Sequence, residues 1–96
     1  MNVRFEWDKT KDRSNQTKHG IRFETATFVF DDPLAIVELD RIENGEERWQ
    51  TLGMADGVPL LVVAHTIREE EIEVIRIISA RRADRKERKR YEQQYS

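Results

Sequence analysis

The sequence predicts an α+β fold, in which an antiparallel β-sheet meander is accompanied by two N-terminal helices and one C-terminal helix. Strand-like segments follow one another through residues 34–82 and are separated by short turn sequences. Helix-capping signals flank polar segments near both ends of the chain. A length of 96 residues suits one domain with one modest core, so residues 1–96 are expected to form a single domain.

The N-terminal segment predicts a short strand followed by a polar helix. Aromatic and charged residues alternate over residues 4–8, and Asp8 then stands where an N-cap is expected. A helix over residues 9–18 would contain no large apolar residue, so its ends alone support it. His19 lies near the negative end of the helix dipole, and Gly20 suits the left-handed position that closes a helix.

A second helix is predicted next, and it is amphipathic. Phe23, Ala26, Thr27 and Phe30 follow the spacing i, i+3, i+4, i+7, which places them on one helical face. The Asp-Asp-Pro sequence at 31–33 ends the helix, because the residue before a proline disfavours helical geometry. This aromatic stripe is expected in the core.

Four strands are predicted in the second half of the chain, and their short connections favour antiparallel pairing. The third of them is the most apolar and is expected at the centre of the sheet, with His65 as a hydrogen-bonded core residue. The predicted strands are 34–39, 48–54, 60–67 and 74–82, joined by a loop at 40–47 containing Asn44-Gly45, a turn at 55–57 and an acidic turn at 69–71.

The last strand is apolar on both sides of the pleat, which predicts that both its faces are covered. Arg76 interrupts it between two isoleucines, where a guanidinium loses water and needs a carboxylate or a phosphate as partner. Strict alternation would place Val74, Arg76, Ile78 and Ala80 on one face and Ile75, Ile77, Ser79 and Arg81 on the other.

A basic helix closes the chain over residues 84–95. Asp84 at the N-cap and Glu87 three residues later have the capping-box spacing. The run from Arg85 to Arg90 places positive charge around much of the helix, and such a surface needs an acidic neighbour.

Charge is distributed unevenly along the sequence, although the net charge is only −2. Residues 1–22 carry +3, residues 23–73 carry −10 and residues 74–96 carry +5. Two basic ends around an acidic middle suit a phosphate-binding face built from the termini, and solvated charge on helices is the alternative. The chain has no cysteine, no apolar leader and no apolar run of membrane-spanning length, so a soluble protein of the reducing cytoplasm is expected.

Several local patterns together resemble the BrnT family, above all Lys-His-Gly followed later by Arg-Ile-Ile-Ser-Ala-Arg, and the match covers nearly the whole chain. The matching pieces are Phe5-Glu6-Trp7-Asp8, residues 11–15, Lys18-His19-Gly20-Ile21, Phe23-Glu24, Phe30-Asp31-Asp32-Pro33, Glu46-Glu47-Arg48, residues 76–81 and residues 85–91.

The resemblance implies the toxin of a bacterial type II toxin-antitoxin pair, with a RelE-like fold and an RNA-cleaving activity that inhibits translation and growth. It also implies neutralisation by a BrnA-like antitoxin with a ribbon-helix-helix domain, in a complex of two toxins and two antitoxins. Operator DNA would then be bound only through the antitoxin. No membrane partner and no metal ion or other cofactor is expected.

RNA cleavage without a metal uses the neighbouring 2′-hydroxyl as nucleophile, so the protein must supply a base, an acid and cations. His19 suits proton transfer because imidazoles titrate near neutrality, although a histidine at a helix C-terminus also serves as a simple dipole partner. The predicted catalytic residues are His19, Arg48, Arg81 and Tyr91, and the predicted RNA-binding residues are Lys18, Arg76, Arg82 and Arg85.

Each of these residues has a structural alternative. The arginines can bind a phosphate bidentately or form ion pairs with Glu46, Glu47 or Glu73. Tyr91 can stack on a base or supply a proton, or it can pack the last helix on the sheet. The lysine and the remaining arginines can hold flanking phosphates or be solvated.

Two further hypotheses compete with a ribonuclease toxin. A non-catalytic module could bind RNA or a protein on the same basic surface, and it would have no cleavage to lose when His19 is changed. A structural partner subunit is the other alternative, and an unpaired strand edge with an exposed apolar patch would favour it.

Overall fold

The computed structural model describes residues 2–56 and 58–95 and confirms the α+β class. Within these residues, no helix is long and apolar enough to cross a membrane. The elements are β1 (Val3–Glu6), α1 (Lys9–His19), α2 (Phe23–Ala26) with the 3₁₀ helix Thr27–Asp31, β2 (Ile36–Glu43), β3 (Glu46–Ala55), β4 (Val58–Glu69), β5 (Glu73–Arg82), α3 (Arg85–Glu92) and the 3₁₀ turn Gln93–Tyr95.

The five strands form one sheet in the order β1-β5-β4-β3-β2. Strands β2 to β5 form the predicted antiparallel meander, with β4 at the centre. The prediction of a purely antiparallel sheet is wrong, because β1 pairs with β5 in parallel, from Val3 opposite Glu73 to Glu6 opposite Arg76. The intervening chain carries β2 to the far edge of the sheet, and alternation within β1 holds no information about the direction of its partner.

The hairpin between β2 and β3 is tighter than predicted. Residues 40–43, predicted as loop, belong to β2, and Ile36 rather than Leu34 begins this strand. Asn44 and Gly45 alone form the turn, with φ angles of 52° and 77° that match a two-residue hairpin turn. The charged residues of this segment favoured a loop in the prediction, but an edge strand tolerates charged residues. In the predicted turn at 55–57, Gly57 lies outside the described residues.

The second predicted helix is a single α-helical turn that continues as a 3₁₀ helix. Phe23, Ala26 and Val29 are all fully buried, and their i, i+3, i+6 spacing fits the three residues per turn of a 3₁₀ helix. Phe28 is 44% exposed. The prediction of one regular α-helix is therefore wrong, although burial of Phe23 and Ala26 is confirmed.

A β-bulge changes the faces of β5. The pairing with β4 runs from Ala64 opposite Ser79 to His65 opposite Ile77, which leaves Ile78 as an extra residue. Ile77 and Ala80 consequently belong to the same core cluster, so the prediction of strict alternation is wrong beyond this point. The other face of β5 carries Arg76, Ser79 and Arg81.

The core has two parts, one on each face of the sheet. On the helix face, α2 and the 3₁₀ helix bury a cluster that includes Phe23, Val63 and Ile77. His65 is fully buried on this face, with its Nε2 2.8 Å from the Thr51 hydroxyl, as predicted for a core histidine. On the opposite face, called the open face here, α3 packs over one end, where Tyr91, Leu52, Leu60 and Val62 form the second cluster.

Candidate active site

Polar contacts hold α1 against β5. Its Asp8 cap is confirmed by bonds of 2.7 and 3.2 Å from the amides of Thr10 and Lys11, and Gly20 ends it with a φ of 70°. Because the helix carries no large apolar residue, the buried side chain of Asn15 provides its attachment.

Asn15 bonds to the backbone on both sides of Ala80, donating to its carbonyl at 2.9 Å and accepting from its amide at 3.1 Å. A third bond runs from the Asn15 amide to the Ile21 carbonyl at 2.9 Å. Strand β1 ends opposite Arg76. Further along β5, the Asn15 side chain satisfies the backbone groups that a neighbouring strand would otherwise pair with. These bonds thereby fix helix α1 to strand β5 at the edge of the sheet.

A cleft of about 280 Å³ lies between α1 and β5. His19 stands in it on the last turn of the helix, and Ser79 stands in it beside the bulge. The cleft thus combines an imidazole, two hydroxyls and two ammonium groups, which together suit an anion. Its lining residues are Lys11, Ser14, Asn15, Lys18, His19, Ile78 and Ser79.

Two of the predicted arginines share a row on the open face. Arg76 is paired opposite Thr66 of β4. Arg48 of β3 directly precedes Trp49, which pairs with His65 of β4. Arg48 is therefore next to Thr66 on the side of β4 that faces away from β5. Arg48 and Arg76 are therefore two strand spacings apart, or about 10 Å between Cα atoms.

Arg76 and Arg48 differ in their partners. No carboxylate of the described residues lies within ion-pair distance of Arg76. Its charge helps the hydrogen bond from Arg68 to hold the pKa of Glu6 below its ordinary value. The terminal nitrogen of Arg48 lies 3.4 Å from Glu46 and 3.6 Å from a second glutamate, Glu43, while its buried Nε has no hydrogen-bond partner in the described part of the chain. Arg76 is thus the better placed to take an added anion.

Arg81 is engaged by α3. Its two terminal nitrogens donate to the two carboxylate oxygens of Glu87 at 2.8 and 2.9 Å, and Glu87 also accepts from the Asp84 amide at 2.9 Å. The hydrogen bond from Arg81 lowers the pKa of Glu87. The reciprocal bonds between Asp84 and Glu87 confirm the predicted capping box. The bidentate geometry predicted for a phosphate is used here for a carboxylate that joins β5 to α3.

Tyr91 is the buried residue of α3 and does not line the cleft of His19. Its hydroxyl donates to Asp32, which also accepts from the amides of Leu34 and Met54. Burial would raise the pKa of Asp32, but these hydrogen bonds outweigh it and hold the pKa below its ordinary value. Tyr91 therefore packs the last helix on the sheet, which was the structural alternative.

The remaining two predicted residues lie apart from the cleft. Arg82 is exposed and pairs opposite Leu61, whose side chain belongs to the helix face. Arg85 is exposed in the first turn of α3. The structure thus brings His19 and Lys18 together in the cleft, and Ser79 connects them to the open face that carries Arg48 and Arg76.

Three residues of the site were not predicted individually from the sequence: Asn15, Lys11 and Ser79. A lone asparagine within a helix devoid of apolar residues is a signal that such a helix docks through polar contacts. Ser79 had no comparable signal, because its placement depends on the bulge at Ile78.

The sheet order separates the charges that the sequence showed. Strand β1 and α1 lie against β5, whereas the acidic hairpin of β2 and β3 occupies the opposite edge. The basic helix α3 reaches towards that edge, where Arg90 pairs with Glu38. In the described residues, no three His, Asp or Glu side chains gather as a metal site would require. Fold and site together describe a small α+β protein with a basic, histidine-containing cleft whose charges suit an anion.

Comparison with known families agrees with this class. The model of the family described as "Ribonuclease toxin, BrnT, of type II toxin-antitoxin system" matches residues 7–87. The chain belongs to this family, and membership in a type II system implies an antitoxin partner and an RNA substrate.

A crystal structure of the Brucella abortus ribonuclease toxin BrnT has a similar fold, with a TM-score of 0.66 and 23% sequence identity. The similarity covers 88% of this chain and all of that one. A search of curated proteins finds no match.

Proposed function

We propose that this member of the BrnT family is an endoribonuclease that cleaves RNA by acid-base chemistry without a metal ion, and that it thereby inhibits translation and growth. The observation that carries the proposal is the position of His19 beside Lys11 and Lys18, in a cleft that meets the arginine-bearing open face at Ser79. A RelE-like fold is part of the proposal, supported by the antiparallel meander that ends in a C-terminal helix.

The reaction requires one proton to leave and another to arrive. The 2′-oxygen of the substrate forms a bond to phosphorus while the bond to the 5′-oxygen breaks, which leaves a cyclic phosphate. His19 either takes the proton from the 2′-hydroxyl or donates one to the departing 5′-oxygen. A positioned acid or base of this kind contributes a factor of about 10² to 10⁴ in rate.

The cations around the cleft have a separate task. Negative charge builds up on the phosphate oxygens in the transition state, and preorganised positive groups stabilise it. Lys18 and Lys11 line the cleft and are placed for this task. Arg76, without a carboxylate at ion-pair distance among the described residues, is placed to bind a flanking phosphate on the open face.

Membership in the family supports a proposal for the biological setting. We propose a BrnA-like antitoxin with a ribbon-helix-helix domain as the partner, in a complex of two toxins and two antitoxins. Operator DNA would be bound through the antitoxin, and toxin and antitoxin would meet in the cytoplasm.

Expression in bacteria tests the proposal. Induction of the wild-type chain should arrest growth and fragment cellular RNA, and both effects should be lost in His19→Ala and strongly reduced in Lys18→Ala. Lys9→Ala is the matched control, since Lys9 is an exposed lysine of the same helix outside the cleft lining.

Two results would contradict the enzyme. Normal growth and intact RNA with folded wild-type protein would favour the binding module instead. Equal toxicity of the wild type and His19→Ala would remove the histidine from the mechanism.

A further inference from the structure

The two edges of the sheet are protected unequally. Strand β1 forms one edge with four residues. Beyond the end of β1, Asn15 of α1 bonds to the backbone of β5 and covers it. Strand β2 forms the other edge with eight residues, and no further strand pairs with it in the described chain. A long edge strand presents unpaired backbone amides and carbonyls, which are ready to pair with an added strand.

The side chains of β2 add an apolar surface to this edge. Val37, Leu39 and Ile42 are 51%, 46% and 65% exposed. Their partners on β3 are Thr51, Trp49 and Glu47, so all three aliphatic side chains lie on the helix face. They form a row along the edge strand, with Trp49 half-buried beside them. An added strand would cover this row.

The charge of the hairpin defines what kind of strand fits. Residues 36–47 contain five carboxylates and one arginine. Two arginines from outside the segment engage three of these acids: Arg90 lies 2.7 Å from Glu38, and Arg48 lies 3.6 Å from Glu43 and 3.4 Å from Glu46. Five carboxylates against these two arginines and the one within the segment still leave an excess of negative charge. Pairing of two copies along β2 would set these acidic edges against each other, and like charges on adjacent strands repel. The edge therefore favours a basic strand over a second copy of itself.

We infer that β2 binds an extended segment of a partner protein in which aliphatic residues alternate with lysine or arginine. The segment adds a sixth strand, with its aliphatic side chains covering Val37, Leu39 and Ile42 and its basic side chains facing the acids of the hairpin. The inference rests on the proposed function, because in a type II pair the antitoxin is the protein that would carry this segment.

The bulge in β2 adds specificity. Leu39 pairs with Trp49 and Arg41 pairs with Arg48, so Asp40 is an extra residue. A bulge bends and twists the edge, which works against indiscriminate pairing with flat strands and demands a partner of matching register.

The position of this edge separates binding from catalysis. Strand β2 lies at the opposite side of the sheet from β5 and the cleft of His19. Changes in β2 should therefore release the toxin from its antitoxin without loss of toxicity. A toxin that kills and is no longer neutralised is the expected phenotype.

The test uses the antitoxin encoded with this toxin as the probe. Leu39→Lys combined with Ile42→Lys should weaken binding about 100-fold in a calorimetric titration, because two aliphatic contacts are lost and charge is added at the interface. Phe28→Lys is the matched control, since Phe28 is as exposed as Leu39 but lies on the 3₁₀ helix. Hydrogen exchange of the wild-type complex should show new protection of the β2 amides.

The possible results separate the two levels of the proposal. Wild-type affinity of the double variant, or a complex without new protection in β2, would overturn the inference and leave the proposed function standing. Absence of any complex between the wild-type chains would overturn the toxin-antitoxin function and the inference with it. Where the lysine variant lowers the melting temperature, Leu39→Thr with Ile42→Thr keeps β-propensity and must still weaken binding.

Discussion

Acid should destabilise this protein through His65 before its carboxylates are titrated. The imidazole is fully buried, its ring meets Phe30 edge-on at 4.9 Å, and its Nε2 lies 2.8 Å from the Thr51 hydroxyl. Burial lowers the pKa of His65 from 6.5 to about 4. The unfolded chain therefore takes up a proton below pH 6.5, whereas the folded chain does not until about pH 4.

The sign and size of the effect follow from these two pKa values. The stabilisation is complete above pH 6.5 and is lost as the pH falls from 6.5 to about 4. At about 1.4 kcal/mol per pKa unit, the free energy of unfolding should fall by about 2 kcal/mol between pH 7.5 and pH 5. Carboxylates such as Glu87, whose pKa is lowered by Arg81, lose their stabilisation at lower pH and contribute little in this window.

Urea unfolding of the wild type and of His65→Gln at pH 7.5 and pH 5 measures this loss. A glutamine amide can take the place of Nε2 beside Thr51 but does not titrate. The variant should lose less than about 0.5 kcal/mol over the same range, because no buried imidazole is protonated when it unfolds. Equal losses in both proteins would refute the assignment of the acid sensitivity to His65.

Four further substitutions test how the site is held. Asn15→Ala should lower the free energy of unfolding by about 2 to 3 kcal/mol, because three hydrogen bonds of a buried side chain are lost; an unchanged melting temperature would contradict this role. A double-mutant cycle of Arg81→Ala and Glu87→Ala should give a coupling of about 1 kcal/mol for this partly exposed pair, and a larger loss of RNA cleavage than of stability in Arg81→Ala alone would show a second role. Tyr91→Phe should retain RNA cleavage and lower stability by about 1 kcal/mol through the lost bond to Asp32, whereas a large loss of activity at full stability would return Tyr91 to the catalytic group.

Local signals predicted those parts of the fold whose causes are local. The cap at Asp8, the left-handed Gly20 and the capping box of Asp84 with Glu87 all depend on residues within one helical turn, and all three are confirmed. The antiparallel meander followed from short connections in the same way. The parallel pairing of β1 with β5 joins segments about 70 residues apart, and no pattern within either strand specifies it.

The candidate site was predictable to the same extent. His19 and Lys18 were found because they end a helix, which is a local property of the sequence. The pairing of Arg81 with Glu87 could not be predicted, because it depends on how α3 packs against β5. The neighbourhood of Ser79 depends on a bulge, which breaks the period of two from which faces are inferred.

Metal-independent cleavage of RNA at the His19 cleft can be tested with purified protein and a single RNA substrate. Purified protein is incubated with an end-labelled RNA in the presence of EDTA, beside the His19→Ala variant at a concentration at which both bind the RNA equally. The wild type should cleave the RNA and leave 2′,3′-cyclic phosphate ends, while the variant should bind the RNA and cleave it at least about 100-fold more slowly. Cleavage that EDTA abolishes, or that proceeds at the same rate in the variant, would contradict metal-independent cleavage by His19.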